Sequence, residues 1–202
     1  IRIQVDATPE IIRFLDQEAG VPPGQLAPMA VKFSATGLRS RLVLLVCDES
    51  HRPASVIKVG LDETGRADTN READILAHLP PQVIGGIRMT RRLNTPATVM
   101  FATNYFPGAS PVNDAGMEHL FNAWLNPDPP APLASLPIWT ELATAAQAST
   151  PEVWQTLSAA LGGKKVRSSL YHGDLAPWNI RTISSRNLEA FDWERGSLQG
   201  IP

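Results

Sequence analysis

Cysteine is nearly absent from this 202-residue chain. Cys47 stands alone at the end of the apolar run Leu42–Val46, so no intrachain disulfide can form, and a small buried hydrophobe is expected there rather than a nucleophile. Long apolar runs are missing too. No stretch approaches the roughly 20 residues that a membrane-spanning helix needs, and there is no secretory signal, so a cytoplasmic protein without a membrane span is expected. Charge of one sign is also lacking, with 18 Lys and Arg against 20 Asp and Glu and a net charge of −2. A nucleic-acid partner would favour a basic stripe; Arg88, Arg91 and Arg92 come nearest and read as a solvated strand face. The apolar share of 43% is enough for a core, and the length suits one large domain or two small lobes sharing a cleft.

Local signals divide the chain into two stretches of different character. Thr8-Pro9-Glu10 opens a helix with a capping hydroxyl and a proline at the first helical position, and Gly20 with Pro22-Pro23-Gly24 ends it. Three strand-like runs follow, over Met29–Phe33, Arg41–Cys47 and Ala54–Val59. Residues 68–79 carry a helical period through Glu72, Ile75, Leu76 and Leu79, and two more strands are expected near 86–93 and 97–106. After Pro107-Gly108 a helical pattern runs over 111–125. Pro127, Pro129, Pro130, Pro132 and Pro137 then predict an irregular connector, and 138–161 reads as one or two helices broken near Ser149–Pro151.

The chemistry is concentrated in Leu170–Ile180 and Ala190–Glu194. Asp174 and Asn179 lie five residues apart in a loop, and Asp192 follows thirteen residues later after the apolar Phe191. A phosphoryl-transfer site needs this set: one carboxylate to accept the proton of the attacking hydroxyl, and an amide oxygen with a second carboxylate to hold Mg²⁺ against the nucleotide phosphates. A surface turn would explain Gly, Asp, Pro and Asn together. It would not explain a strand-like Phe191-Asp192-Trp193 that delivers another carboxylate.

At these residues the chain resembles the aminoglycoside phosphotransferase and choline kinase family, which shares the two-lobed protein-kinase-like fold. The family signature, H-G-D-x-x-x-x-N followed by an apolar residue and D-W, is matched by His172, Gly173, Asp174, Asn179, Asp192 and Trp193. The resemblance implies an α+β fold. Its small lobe, residues 1–106, would be an antiparallel five-stranded sheet with one main helix, preceded by the helix at about 9–19, and would bind the nucleotide. Its larger, mostly helical lobe, 107–202, would carry catalysis and would be incomplete at the C-terminus, because the family continues beyond this point. The cofactors implied are ATP and Mg²⁺, with Asp174 as the base and Asn179 and Asp192 as the metal ligands.

The resemblance extends to the nucleotide side. Ser55-Val56-Ile57-Lys58 is similar to the kinase strand whose lysine neutralises nucleotide phosphates, and Glu72, at the start of the following helix, is its natural partner. Lys32, on the first strand, has no such role in the fold. The loop Ser34–Ser40 would cover the phosphates. It has one glycine, so Gly37 and the hydroxyl of Ser40 are the candidates there. Asn104 and Tyr105 fall where the hinge should lie, and their backbone groups would pair with adenine. His172 is expected to brace the loop, Trp178 and Trp193 to pack beside the site, and Glu194 either to assist a second metal or to face solvent.

Gly173 and Trp193-Glu194 depart from the protein-kinase pattern, which favours a small-molecule hydroxyl acceptor such as a sugar, an aminoglycoside or an amino alcohol. The wording Ala176-Pro177-Trp178-Asn179 is similar to members accompanying bacterial polysaccharide synthesis. Two alternatives stand beside the enzyme: a catalytically inactive nucleotide-binding module with a regulatory role, and the kinase-like part of a bifunctional polysaccharide-biosynthesis protein.

Overall fold

The computed structural model describes residues 9–20, 29–36, 39–48, 50–80, 83, 86–108, 114–182 and 188–201. They divide into two compact units, one taking the residues up to Ala77 and from Gly86 to Pro107, the other His78–Gly85 and the residues from Gly108 onward.

The first unit is built on five antiparallel strands: β1 (Met29–Thr36), β2 (Arg39–Cys47), β3 (Pro53–Gly60), β4 (Met89–Asn94) and β5 (Val99–Asn104), in the spatial order β1-β2-β3-β5-β4. Helix α1 (Pro9–Ala19) precedes the sheet and α2 (Glu63–His78) joins β3 to β4. One sheet face buries Leu42, Leu44, Val46, Ile57, Val59 and Met100 against Phe14 of α1. Adjacent strand residues point to opposite faces, and β4 shows what each face carries. Arg91 pairs with Glu18 of α1 at 2.9 Å, and Arg92 pairs with Asp74 of α2 at 2.6 Å. The arginines expected on a solvated face therefore tie the two helices to opposite sides of the sheet.

Helix α2 starts five residues earlier than its apolar period predicts. Asp62 caps it, its Oδ1 accepting the N–H of Gly65 at 2.7 Å, as a short acidic side chain does at a helix start. A Cβ at Gly65 would lie 2.4 Å from the carbonyl oxygen of Ser40, so glycine is what lets the first turn approach β2. The earlier start moves Glu72 from the first turn to the middle of the helix.

The second unit begins with α3 (Asp114–Trp124). The proline-rich stretch contains a two-residue strand, β6 (Ala131–Pro132), paired with β7 (Lys165–Val166), and a 3₁₀ turn at Leu133–Ser135. Helices α4 (Pro137–Ser149) and α5 (Pro151–Leu161) each have proline in the first turn, which stops one helix and starts the next. Trp139 and Trp154 meet between them at 4.8 Å, in a core with Leu133 and Leu136. The chain then runs through β8 (Ser169–Tyr171), a 3₁₀ turn at Pro177–Asn179, the pair β9 (Ile180–Thr182) and β10 (Leu188–Ala190), and β11 (Ser197–Gly200), which pairs with β8.

Candidate active site

In the first unit the lysine and glutamate meet. Lys58 lies on β3 between Ile57 and Val59, which face the α1 side, so by alternation it faces α2. Its Nζ donates to both Glu72 oxygens at 2.8 Å. The Glu72 side chain is 3% exposed and that of Lys58 15%. The first turn of α2 packs on the end of β3, where a Cβ at Gly60 would stand 2.5 Å from the Arg66 backbone, and Glu72 meets Lys58 further along the helix.

The rest of the expected nucleotide wall is arranged differently. Ser40 lies in the sheet ladder opposite Ala35, and Thr36 pairs with Arg39, so most of the stretch expected to be loop is strand. The Ser40 hydroxyl and N–H both bond the Asp62 carboxylate. Gly37 lies outside the described residues. Asn104 uses its side chain on the neighbouring segment, Nδ2 donating to the Gly86 carbonyl at 2.8 Å and Oδ1 accepting from the Arg88 N–H at 2.6 Å. Its backbone N–H donates to the Arg88 carbonyl and that of Tyr105 to the Ala54 carbonyl. The backbone N–H groups of the expected hinge residues Asn104 and Tyr105 are thus both committed within the unit.

In the second unit the loop and the hairpin are joined through the backbone of Phe191. Its N–H donates to the Asn179 carbonyl at 3.0 Å, and its own carbonyl lies 2.9 Å from Nε2 of His172. His172 Nδ1 accepts the backbone N–H of Asp174 at 3.3 Å. A ring nitrogen that accepts carries no proton, so this neutral imidazole is protonated at Nε2, which donates to Phe191. Asp174 precedes a tight turn in which Ala176 N–H returns to the Asp174 carbonyl at 2.9 Å. Asn179 Nδ2 donates to that same carbonyl at 2.9 Å and lies 3.5 Å from the carboxylate Oδ2. The amide nitrogen is thereby committed to Asp174, which identifies Oδ1 as the acceptor end of the buried Asn179 side chain. Asp192 follows Phe191 with φ +72°, in the left-handed region that Asp enters more readily than most residues.

Two backbone and aromatic features complete this geometry. Gly173 has φ +80°, and a Cβ there would stand 2.5 Å from both Cβ and the carbonyl oxygen of Arg195; the residue that departs from the protein-kinase pattern is the one that fits. Trp193 is 1% exposed and donates its indole N–H to the Ala190 carbonyl at 2.9 Å. Trp178, expected to pack, is 67% exposed. The 3₁₀ turn explains the difference: it directs Asn179 inward and its neighbour outward. Glu194 does not face solvent either, being 9% exposed, with Arg195 at 3.9 Å.

Three contributors to the site carry no distinguishing sequence signal. Asp62 follows the sheet without an apolar period to announce a cap. The Phe191 contribution is backbone only. Trp124 of α3, whose ring lies 5.1 Å from that of Trp193 and 6.3 Å from that of His172 between centroids, looks in the sequence like any apolar residue in a helical pattern.

No family model matches the sequence, and no curated protein matches it. Solved structures do. One is a thermostable variant of aminoglycoside phosphotransferase APH(4)-Ia with ADP and hygromycin B, at TM-score 0.54 and 11% identity, covering 93% of this chain and 72% of that one. Another is aminoglycoside phosphotransferase APH(2")-IIa with streptomycin and ATP, at 0.52 and 13%, covering 98% and 74%. A third is a fructosamine-3-kinase candidate from Haemophilus somnus, at 0.53 and 13%, covering 89% and 70%. The protein therefore has the kinase-like α+β fold of these phosphotransferases. Among the described residues no helix is long and apolar enough to cross a membrane.

Proposed function

We propose that this protein transfers the γ-phosphoryl group of ATP to a hydroxyl of a small molecule. The observation that carries the reading is the clamp on Phe191. One backbone residue is bonded to Asn179 on one side and to His172 on the other, so the segments bearing Asp174, Asn179 and Asp192 are fixed to one another. The ion pair Lys58–Glu72, at 2.8 Å, supports it from the first unit, as do the ADP and ATP bound by the solved structures of the same fold.

In this reading the first unit holds the nucleotide and the second carries catalysis. Glu72 holds the Lys58 ammonium in one orientation, ready to neutralise phosphate oxygens. Adenine is met by backbone groups other than the committed N–H groups of Asn104 and Tyr105. Asp174 orients the acceptor hydroxyl and takes its proton as the new O–P bond forms and the bond from the γ-phosphorus to ADP breaks. Such a transfer passes through a loose transition state, so positioning supplies most of the rate.

The donor set fits Mg²⁺. Asn179 presents an amide oxygen because its nitrogen is held by Asp174, Asp192 adds a carboxylate, and both are hard oxygen ligands. When bound, Mg²⁺ would supply charge neutralisation at the phosphates, with Asn179 and Asp192 holding it.

The test is replacement of Asp174 with Asn. A shape-conserving loss of the base should remove 10²-fold or more of the transfer rate and leave Mg-ATP affinity near wild type, measured by labelled-ATP transfer across pooled sugars, amino alcohols and aminoglycosides. A variant as fast as the wild type would end the assignment of Asp174.

A further inference from the structure

We propose that Trp124 of α3 is a positioning residue for the transfer reaction, holding the His172 ring so that the base and the metal-binding carboxylate keep one mutual placement; the inference rests on the phosphotransferase reading above. Trp124 touches neither motif segment in sequence, yet it meets both in space. Its ring lies nearly parallel to the His172 imidazole, at 7° and 6.3 Å between centroids. It also meets the Trp193 indole at 5.1 Å. His172 and Trp193 in turn lie 4.7 Å apart. The three rings close a triangle with centroid separations of 4.7, 5.1 and 6.3 Å.

What the triangle controls follows from the hydrogen bonds. The imidazole has one rotation left to it, about the bond to the backbone side of the ring, and that rotation decides whether Nδ1 reaches the Asp174 N–H while Nε2 reaches the Phe191 carbonyl. Both bonds exist only at one ring angle. Two neighbouring rings, Trp193 at 4.7 Å and the parallel, offset Trp124 at 6.3 Å between centroids, crowd the imidazole and oppose departure from that angle in a close-packed interior. Trp193, next to Asp192, packs against Trp124 as well, tilted at 55°. Loss of Trp124 therefore loosens two tethers at once, one to Asp174 and one to the Phe191-Asp192 peptide.

The polar edge of Trp124 argues that its shape is what the site uses. Trp124 is 5% exposed, and its indole N–H has no acceptor among the described residues. A buried donor without a partner carries a cost, so the side chain is held there by its faces. Phenylalanine keeps an aromatic face and removes the donor, which makes it the conservative replacement.

The experiment compares Trp124→Leu, Trp124→Phe and Leu120→Ala in the full chain. Leu120 is buried on the same helix, 4% exposed, and controls for simple destabilisation. Two readouts are used: kcat for transfer from Mg-ATP, and the His172 ring nitrogens in long-range ¹⁵N–¹H spectra. Wild type should show a single neutral Nε2–H tautomer. Trp124→Leu should lower kcat by about 10²-fold, the loss expected of a misplacement near 1 Å, and should give a mixed or broadened His172 spectrum. Trp124→Phe should recover most of both, and Leu120→Ala should lower Tm while leaving both unchanged. An active Trp124→Leu, or one with the wild-type His172 spectrum, overturns the positioning role alone. A wild-type chain that neither binds nor turns over Mg-ATP overturns the phosphotransferase reading and this role with it.

Discussion

Replacing Lys58 with Met removes the ammonium but keeps most of the stem, and so isolates the electrostatic part of the pair. The Glu72 carboxylate left behind sits on a side chain 3% exposed and loses two bonds of 2.8 Å. Breaking a buried ion pair from one side costs about 3–5 kcal/mol, and because the Lys58 end retains 15% exposure the lower end, about 3 kcal/mol, is expected. For a chain of this size that corresponds to a fall of roughly 6–12 °C in Tm. Glu72→Gln leaves an amide oxygen for the ammonium, and the ammonium keeps some water, so about 1–2 kcal/mol should be lost. The double variant Lys58→Met with Glu72→Leu removes both charges and should return close to wild-type stability, since a buried pair replaced by apolar groups of similar size is commonly neutral. Thermal unfolding by circular dichroism measures these four proteins together with the Glu72→Leu single variant, which closes the cycle. The expected pattern is strongly non-additive, with the double variant more stable than Lys58→Met. Transfer activity should be lost in Lys58→Met and in the double variant alike. Losses that simply add, or a Lys58→Met loss below about 1 kcal/mol, would refute the claim that this contact is a buried, mutually compensating pair.

Two further perturbations probe the frame around the site. Gly173→Ala forces a side chain into the left-handed region, at roughly 1–2 kcal/mol, and drives its Cβ into the Arg195 backbone, adding about 1–3 kcal/mol; denaturant unfolding should show a loss of about 2–5 kcal/mol together with slower transfer, and a loss under 1 kcal/mol would contradict the geometry. The Asp62 carboxylate is held below its usual range, first by the Gly65 N–H and then by Ser40 and the Arg66 charge, against the opposing effect of burial. A depressed folded value means that its contribution is full above the ordinary 3.8 and drains away as pH falls through the folded value. The Tm difference between wild type and Asp62→Ala should therefore be constant at neutral pH and shrink below pH 4; a difference independent of pH in the acid range would exclude the carboxylate as its source.

How much was legible in the sequence depended on whether the signal was local. The helix breaks at Pro137 and Pro151 were visible because proline acts on its own backbone, and the strands of the sheet because their apolar alternation is contiguous. The spacing of Asp174, Asn179 and Asp192 was legible because it is a pattern within one loop and one short hairpin, whose segments are joined through the Phe191 backbone. Trp178 departs from the expected packing because aromatic composition favours burial, whereas the direction of a side chain in a 3₁₀ turn is set by the turn. The same holds for Glu194: charge alone favours solvent, and only the folded loop encloses it.

By itself the sequence determined which charged and oxygen-bearing side chains the two motif segments hold and the order in which the elements carry them, since donor chemistry, turn residues and apolar periods are properties of short segments. The tertiary structure alone decided that Glu72 meets Lys58 from the middle of α2 rather than from its first turn, that Ser40 serves Asp62 within the sheet, and that Trp124 packs near His172 and Trp193. Those contacts join residues far apart in the chain, and their formation depends on which faces the sheet and helices turn toward one another, a property that no short segment contains.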